Sequence, residues 1–202
     1  MNQQDNNTAS SYSRYFKEVG VLFCLATLFI LPLNYIYAQQ ETPASNTVLK
    51  GIYEHINSYL KLREQSVKNL SKPSGKSEPE KIHAYETALE DNLRTARVNA
   101  SRGEIFTPEV ANHIRKVIRQ EFKGQRLQEL RKEVSESETK GMPLRVNYPY
   151  PEQKEMLEMP PTLLLKLPAL PQQLRYRFVG SNLLLMDREA RIILDYMPEA
   201  LP

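Results

Sequence analysis

Apolar residues recur at three- and four-residue spacing along most of the chain and switch to alternate positions near its end. Val48, Ile52, Ile56, Tyr59, Leu60, Val67 and Leu70 make one stripe and predict a helix over 47–70. Ser45, Asn46 or Thr47 would cap it after a disordered lead over 39–46. Lys61, Arg63, Glu64 and Lys68 fall mainly on its polar side. Ser71–Lys76 reads as a loop, because Pro73 and Gly75 stand close together. A second helix over about 77–99 carries Ile82, Tyr85, Leu89, Leu93 and Ala96, and Ser77 with Glu80 forms a capping-box pattern. Ser101-Arg102-Gly103 stops it. Thr107-Pro108 starts a third helix with the stripe Val110, Ile114, Val117, Ile118 and Phe122. Gly124 breaks or bends it before Leu127, Leu130 and Val134 carry the helical spacing on to about Ser135.

The pattern then changes. Leu144–Pro151 must be extended, since residues before proline are pushed out of the helical region. Glu152–Met159 has no decisive period, and Pro160–Leu167 fits one helical turn. In 174–179, Leu174, Tyr176 and Phe178 share one face, and Arg175 and Arg177 the other. Gly180-Ser181-Asn182 is a tight turn, Leu183–Met186 an apolar central strand, and 187–190 a second turn. In the third strand Ile192 and Leu194 share a face, opposite Ile193 and Asp195. The fold class expected is α+β: three to four helices followed by a small three-stranded antiparallel C-terminal meander. The organisation is a leader over 1–38, a helical region over 39–135, a proline-rich extended linker over 136–162, and the meander over 163–202, packed on the helices. A meander alone is marginal, so it and the helices need each other.

Composition adds compartment more than activity. The 202 residues suit one ordinary domain. With 27 Lys+Arg against 24 Asp+Glu, the net charge of +3 is too weak and too spread to argue for a nucleic-acid partner. Arg14 and Lys17 precede the apolar run Val21–Leu33, and Ile36-Tyr37-Ala38 follows. This is the pattern of an export signal cleaved after Ala38. The alternative is a retained inner-membrane anchor over residues 20–38, although the run is shorter than the ~20 residues that span a bilayer. The one cysteine, Cys24, lies inside the leader, so a cleaved chain has no thiol chemistry. The expected location is bacterial periplasm or secreted, with membrane contact only through the N-terminal segment.

Candidate chemistry is sparse. The three histidines, His55, His83 and His113, fall one on each helix. His83 and His113 lie roughly 90–100° from the centre of their stripes. They are weak metal candidates, and no metal or other cofactor is expected. Asp187, Asp195 and Glu189 supply carboxylates, for which salt pairing with Arg188, Arg191 or Arg177 is the ordinary use. No GxSxG and no glycine-rich phosphate loop occurs. Arg175, Arg177 and Arg191 form a candidate contact surface for an envelope protein or an anionic envelope component. Tyr148 and Tyr150, in the Tyr-Pro-Tyr-Pro run, read either as a docking segment or as a strap on their own domain. Arg115, Lys116, Arg119, Lys123 and Arg126 make the third helix and its continuation basic on the outer side, as expected of a soluble face or a membrane-touching helix.

The run from Tyr148 to Pro202, with GEIFTPEVANHIRKVIRQEFKG before it, resembles the C-terminal part of exported bacterial proteins of uncharacterised role. Within it, LPQQLRYRFVGSNLLLMDREARIILDY is similar to the hairpin unit of periplasmic nickel/cobalt-homeostasis proteins. That likeness implies periplasmic location and hairpin shape. Ala190 stands where the unit would have glycine, and the His-rich character is lacking, so no metal residue is carried over. Three functions are open: a non-enzymatic protein with a binding or envelope-accessory role, a metal-responsive periplasmic protein, and a carboxylate-dependent enzyme. Deleting Leu174–Pro202 should leave the helical stripes uncovered and give an aggregating or loosely packed product. A cooperative thermal melt of the truncated chain would show instead that the meander is an appendage.

Overall fold

The helices form where the stripes place them, and their ends follow local chemistry. The computed structural model describes residues 43–136, 143–151 and 159–201. The expected leader and its expected cleavage site, residues 137–142 and residues 152–158 lie outside the described residues, which all belong to the unit Glu41–Pro202. Helix α1 spans Pro43–Val67. It begins four residues earlier than its stripe suggests, so Ser45, Asn46 and Thr47 are helical and none is a cap. Proline in a first turn costs no helical hydrogen bond.

Helix α2 spans Pro79–Ala96 and is entered through Glu78, which makes no side-chain cap bond. The expected capping box at Ser77 is therefore not formed; the Ser77 hydroxyl lies 3.3 Å from that of Ser74. Helix α3, Pro108–Glu121, starts as its sequence predicts, with Thr107 Oγ1 accepting from the Val110 amide at 3.4 Å. Phe122 leaves the helix extended, Gly124 takes φ +57°, and α4 runs Gln125–Glu136. A positive φ is cheap only for glycine, which explains the break at this position. Helix α5 is the single turn Pro161–Leu164.

Strands β1 (Leu174–Val179), β2 (Asn182–Asp187) and β3 (Ile193–Met197) form an antiparallel meander in that order. Val179 pairs with Asn182 across Gly180 and Ser181, a two-residue hairpin with Gly180 at φ +55°. The inner face of the sheet joins the helices in one core: Leu174, Tyr176, Phe178, Leu183 and Leu185 pack with Ile52, Ile56, Leu89, Leu93, Ile114 and Ile118. The outer face carries a smaller cluster, Val179, Leu184, Met186 and Ile193, over which Tyr150 packs. The residues 143–151 run beside β3, where Pro149 bridges Ile192 and the Asn147 and Tyr150 amides donate to Ile193 and Arg191 carbonyls at 2.8 and 3.0 Å.

One irregularity decides which side chains reach the core. Met186 pairs with Ile193, but Leu185 pairs with Asp195, so β3 holds one extra residue at Leu194. A bulge of this kind shifts the alternation by one position. Leu194 joins the inner core while Ile193 lies in the outer cluster. Asp195 then turns inward too, which corrects the expectation that it shares a face with Ile193.

Asp195 is fully buried, and its carboxylate accepts from the backbone amides of Gly103 at 2.9 Å and of Ile105 and Phe106 at 2.8 Å, as well as from Tyr196. The loop between α2 and α3 has no helical or strand partner for those amides. Asp195 therefore holds the loop to the sheet and seats Ile105 and Phe106 in the core, with Phe106 stacked on Tyr176 at 6.5 Å. Asp195→Ala should lower unfolding free energy by about 3 kcal/mol or more, because several buried donors lose their acceptor together. Asp195→Asn, which keeps one acceptor oxygen, should cost less. Urea denaturation checks both, and a change below about 1 kcal/mol in the alanine variant would refute the role given to this carboxylate.

Candidate functional site

Two polar assemblies meet the sheet from opposite sides. On the inner side, α1 presents Ile52, Ile56, Tyr59 and Arg63 to the core, and all four are buried. The four-, three- and four-residue steps place them on one helical face. Arg63 was expected on the polar side of α1, so the structure corrects that placement. Asp187, at the end of β2 and fully buried, accepts from Arg63 Nε at 2.6 Å and from the Tyr59 hydroxyl at 2.7 Å. Its other oxygen accepts from the amides of Glu189 and Ala190, both at 2.9 Å, and closes the β2–β3 turn. Arg63 also binds Glu189 through Nη2, and Lys72 reaches Glu189 at 3.4 Å.

The electrostatics match this geometry. Burial, and then the Asp187 carboxylate, push the Tyr59 phenol far above its ordinary range. Burial opposes the charge on Arg63, but Asp187 and Glu189 outweigh it and raise the guanidinium further. Burial likewise opposes ionisation of Glu189, and the bond from Arg63 outweighs it, so its carboxyl lies below the ordinary 4.5. Asp187 and Asp195 thus do not pair with Arg188, Arg191 or Arg177 as the sequence suggested. Their partners are Arg63, Tyr59 and backbone amides. Lone pairs committed in this way hold the fold together.

Beside this assembly, Arg97 lies at the end of α2. Its side chain is 8 % exposed and donates to the Leu194 carbonyl at 3.1 Å, with the Tyr59 ring 5.4 Å away. Burial lowers its pKa. A cleft of about 260 Å³ opens here, lined by His55, Ser58, Tyr59, Arg97, Asn99 and Glu104 among others. His55 and His83 are exposed and His113 is half-buried. His83 borders a different cleft, between α2 and Pro149–Pro151. Among the described residues, no three His, Cys, Asp or Glu side chains converge as metal ligands.

On the outer side, pleat alternation turns Arg175 and Arg177 away from the helices. Arg188 and Arg191 flank the same corner from the β2–β3 turn, with Arg191 at φ +57°. Burial first, then the neighbouring guanidiniums of Arg177, Arg188 and Arg191, lower the Arg175 pKa, while Asp187 opposes them. The Nε of Arg175 is buried and has no hydrogen-bond partner among the described residues. Arg177 donates to the Tyr176 carbonyl at 3.0 Å, and Arg188 to that of Leu174 at 3.0 Å. The structure therefore gathers Arg175, Arg177 and Arg191 and adds Arg188.

Tyr148 and Tyr150 part company. Tyr150 is 1 % exposed and lies in the outer cluster. Tyr148 is half-buried, with the guanidiniums of Arg145 and Arg94 at 3.9 and 4.5 Å from its ring centre. Arg63, Arg97 and Asn147 are the polar residues that the sequence pattern did not single out. Asn147 takes φ 64° and donates to the carbonyls of Arg94 and Arg97 at 2.9 and 3.0 Å.

Comparison with family models, with curated proteins and with solved structures finds no match to this chain. Arg63→Ala should cost about 3–5 kcal/mol in urea denaturation, since it strands the buried Asp187 carboxylate. Tyr59→Phe should cost only about 1 kcal/mol. The sign for pH follows from Glu189: its folded pKa is depressed, so its contribution is present above the ordinary 4.5 and is lost as pH falls through the folded value. Stability measured from pH 7 down to about pH 3 should fall, and Glu189→Gln should flatten that fall. Equal slopes in the two proteins would remove Glu189 from the account.

Proposed function

We propose that this chain is a non-enzymatic exported protein whose basic outer sheet corner binds an anionic component of the cell envelope. The observation that carries the reading is the placement of Arg175 and Arg177 on the outer face of β1, with Arg188 bonded to the Leu174 carbonyl beside them and the buried Arg175 Nε without a hydrogen-bond partner among the described residues. Burial and then the neighbouring guanidiniums oppose the charge on Arg175, and a bound anion supplies its Nε with an acceptor. Arginine suits the task because its planar fork of donors matches carboxylate and phosphate oxygens. The export pattern over residues 1–38 supports a location where such polymers are found. The saturation of Asp187 and Asp195 by protein donors supports binding over carboxylate chemistry.

The test is elution of the full chain from an anionic polysaccharide resin by a salt gradient, with an uncharged resin as reference. Retention should be specific to the anionic resin. Arg175→Gln with Arg177→Gln and Arg191→Gln should elute at lower salt and lose on the order of tenfold in affinity at moderate ionic strength. Unchanged elution of a variant that still melts cooperatively would overturn the reading.

A further inference from the structure

We propose that the α5 turn is a contact point for an anionic lipid surface, formed by Leu164 and Leu165 with a cationic rim of Lys166, Lys123 and Arg126. It lies on other elements than the arginine corner and does not depend on it. Leu164 and Leu165 are 49 % and 88 % exposed, two of the three large apolar side chains exposed among the described residues. Their neighbours Leu163 and Leu167 are buried and already anchor the turn in the core. Packing therefore accounts for 163 and 167 and leaves the two outward leucines without a use. Adjacent exposed leucines on one fixed turn mark a contact site more than chance placement.

The turn is held rigidly. Pro160 and Pro161 fix its entry, and α5 packs on α3. Glu121, the last residue of α3, is 8 % exposed and accepts from Lys166 Nζ, with Arg126 Nη1 at 3.8 Å. Lys166 and then Thr162 hold its carboxyl below the ordinary range. Glu121 thus draws Lys166 and Arg126 together beside the leucines, and Lys123 is exposed two residues beyond it. Among the described residues of this rim, three cations stand against the one carboxylate of Glu121.

Apolar side chains ringed by cations complement an anionic bilayer surface. The leucines enter between headgroups, and the ammonium and guanidinium groups meet the phosphates. A second copy of the chain fits worse: a two-fold contact through the leucines would bring Lys123, Arg126 and Lys166 against the same three cations. The sequence offered the N-terminal segment and the basic outer side of the third helix for membrane contact; the leucine pair of α5 and Lys166 were in neither.

Hydrogen exchange of the full chain, bound to vesicles of phosphatidylcholine alone or mixed with phosphatidylglycerol, tests the proposal. Amides of 162–167 should exchange at least about fivefold more slowly on the anionic vesicles than on the neutral ones. Leu164→Ser with Leu165→Ser should abolish that difference while the β-strand amides keep their protection. Lys123→Gln with Arg126→Gln, which touches no core position, should also reduce it. Equal exchange on both vesicles, or protection that follows protein concentration and not lipid, would overturn the proposal.

Discussion

Burial of two carboxylates between the sheet and the helices is the constraint on which the rest of the structure depends. Asp187 and Asp195 both lie at zero exposure. A charge there is tolerable only if donors surround it. Asp187 obtains them from Arg63 and Tyr59 on α1, and from the amides of its own turn. Asp195 obtains them from the loop that joins α2 to α3. Apolar contact alone leaves the angle of a helix on a sheet loosely set. These bonds fix where α1 and the α2–α3 loop sit, and so fix the shape of the core above them.

The same arrangement sorts charge by face. Carboxylates that point inward are answered by protein groups, while the strand arginines point outward beside one another. Arg175 and Arg177 alternate with Leu174, Tyr176 and Phe178, so the apolar face needed for the core dictates the cationic face on the reverse. The segment 143–151 covers the apolar part of that reverse face with Tyr150, and Arg145 and Arg94 close on Tyr148. At the end of α3, Glu121 binds Lys166 and Arg126, and the leucine pair between the core anchors stays outward.

Much of the fold was legible because it rests on period. The stripes of α2 and α3, the Thr107 cap and the Gly124 break all follow from spacing and backbone chemistry. So do the Gly180-Ser181 hairpin and the central position of β2. What was not legible rests on pairing between distant residues. Arg63 continues the step from Ile52, Ile56 and Tyr59, but a charged residue on a stripe reads as polar surface until its partner is known. Asp195 was assigned to the wrong face because a bulge leaves no mark in an apolar run such as Ile192–Leu194. Of the candidate site, the alternation of Arg175 and Arg177 could be read from period. The approach of Arg188 and Arg191 depends on the turn, and the buried role of Tyr150 on a bridge to Ile192.

The sequence separation of the carboxylate ties bears on the timing of folding. Asp187 and Arg63 are 124 residues apart, and Asp195 and Ile105 are 90 apart. Contacts so distant incur loop-closure entropy before they return any stabilisation, so they slow folding relative to local contacts. The donors on α1 and in the α2–α3 loop precede their acceptors on β2 and β3 along the chain. Without those acceptors the helices are held to one another mainly by apolar contact. The β2–β3 hairpin acts as a latch, since its two carboxylates join α1 and the α2–α3 loop to the sheet.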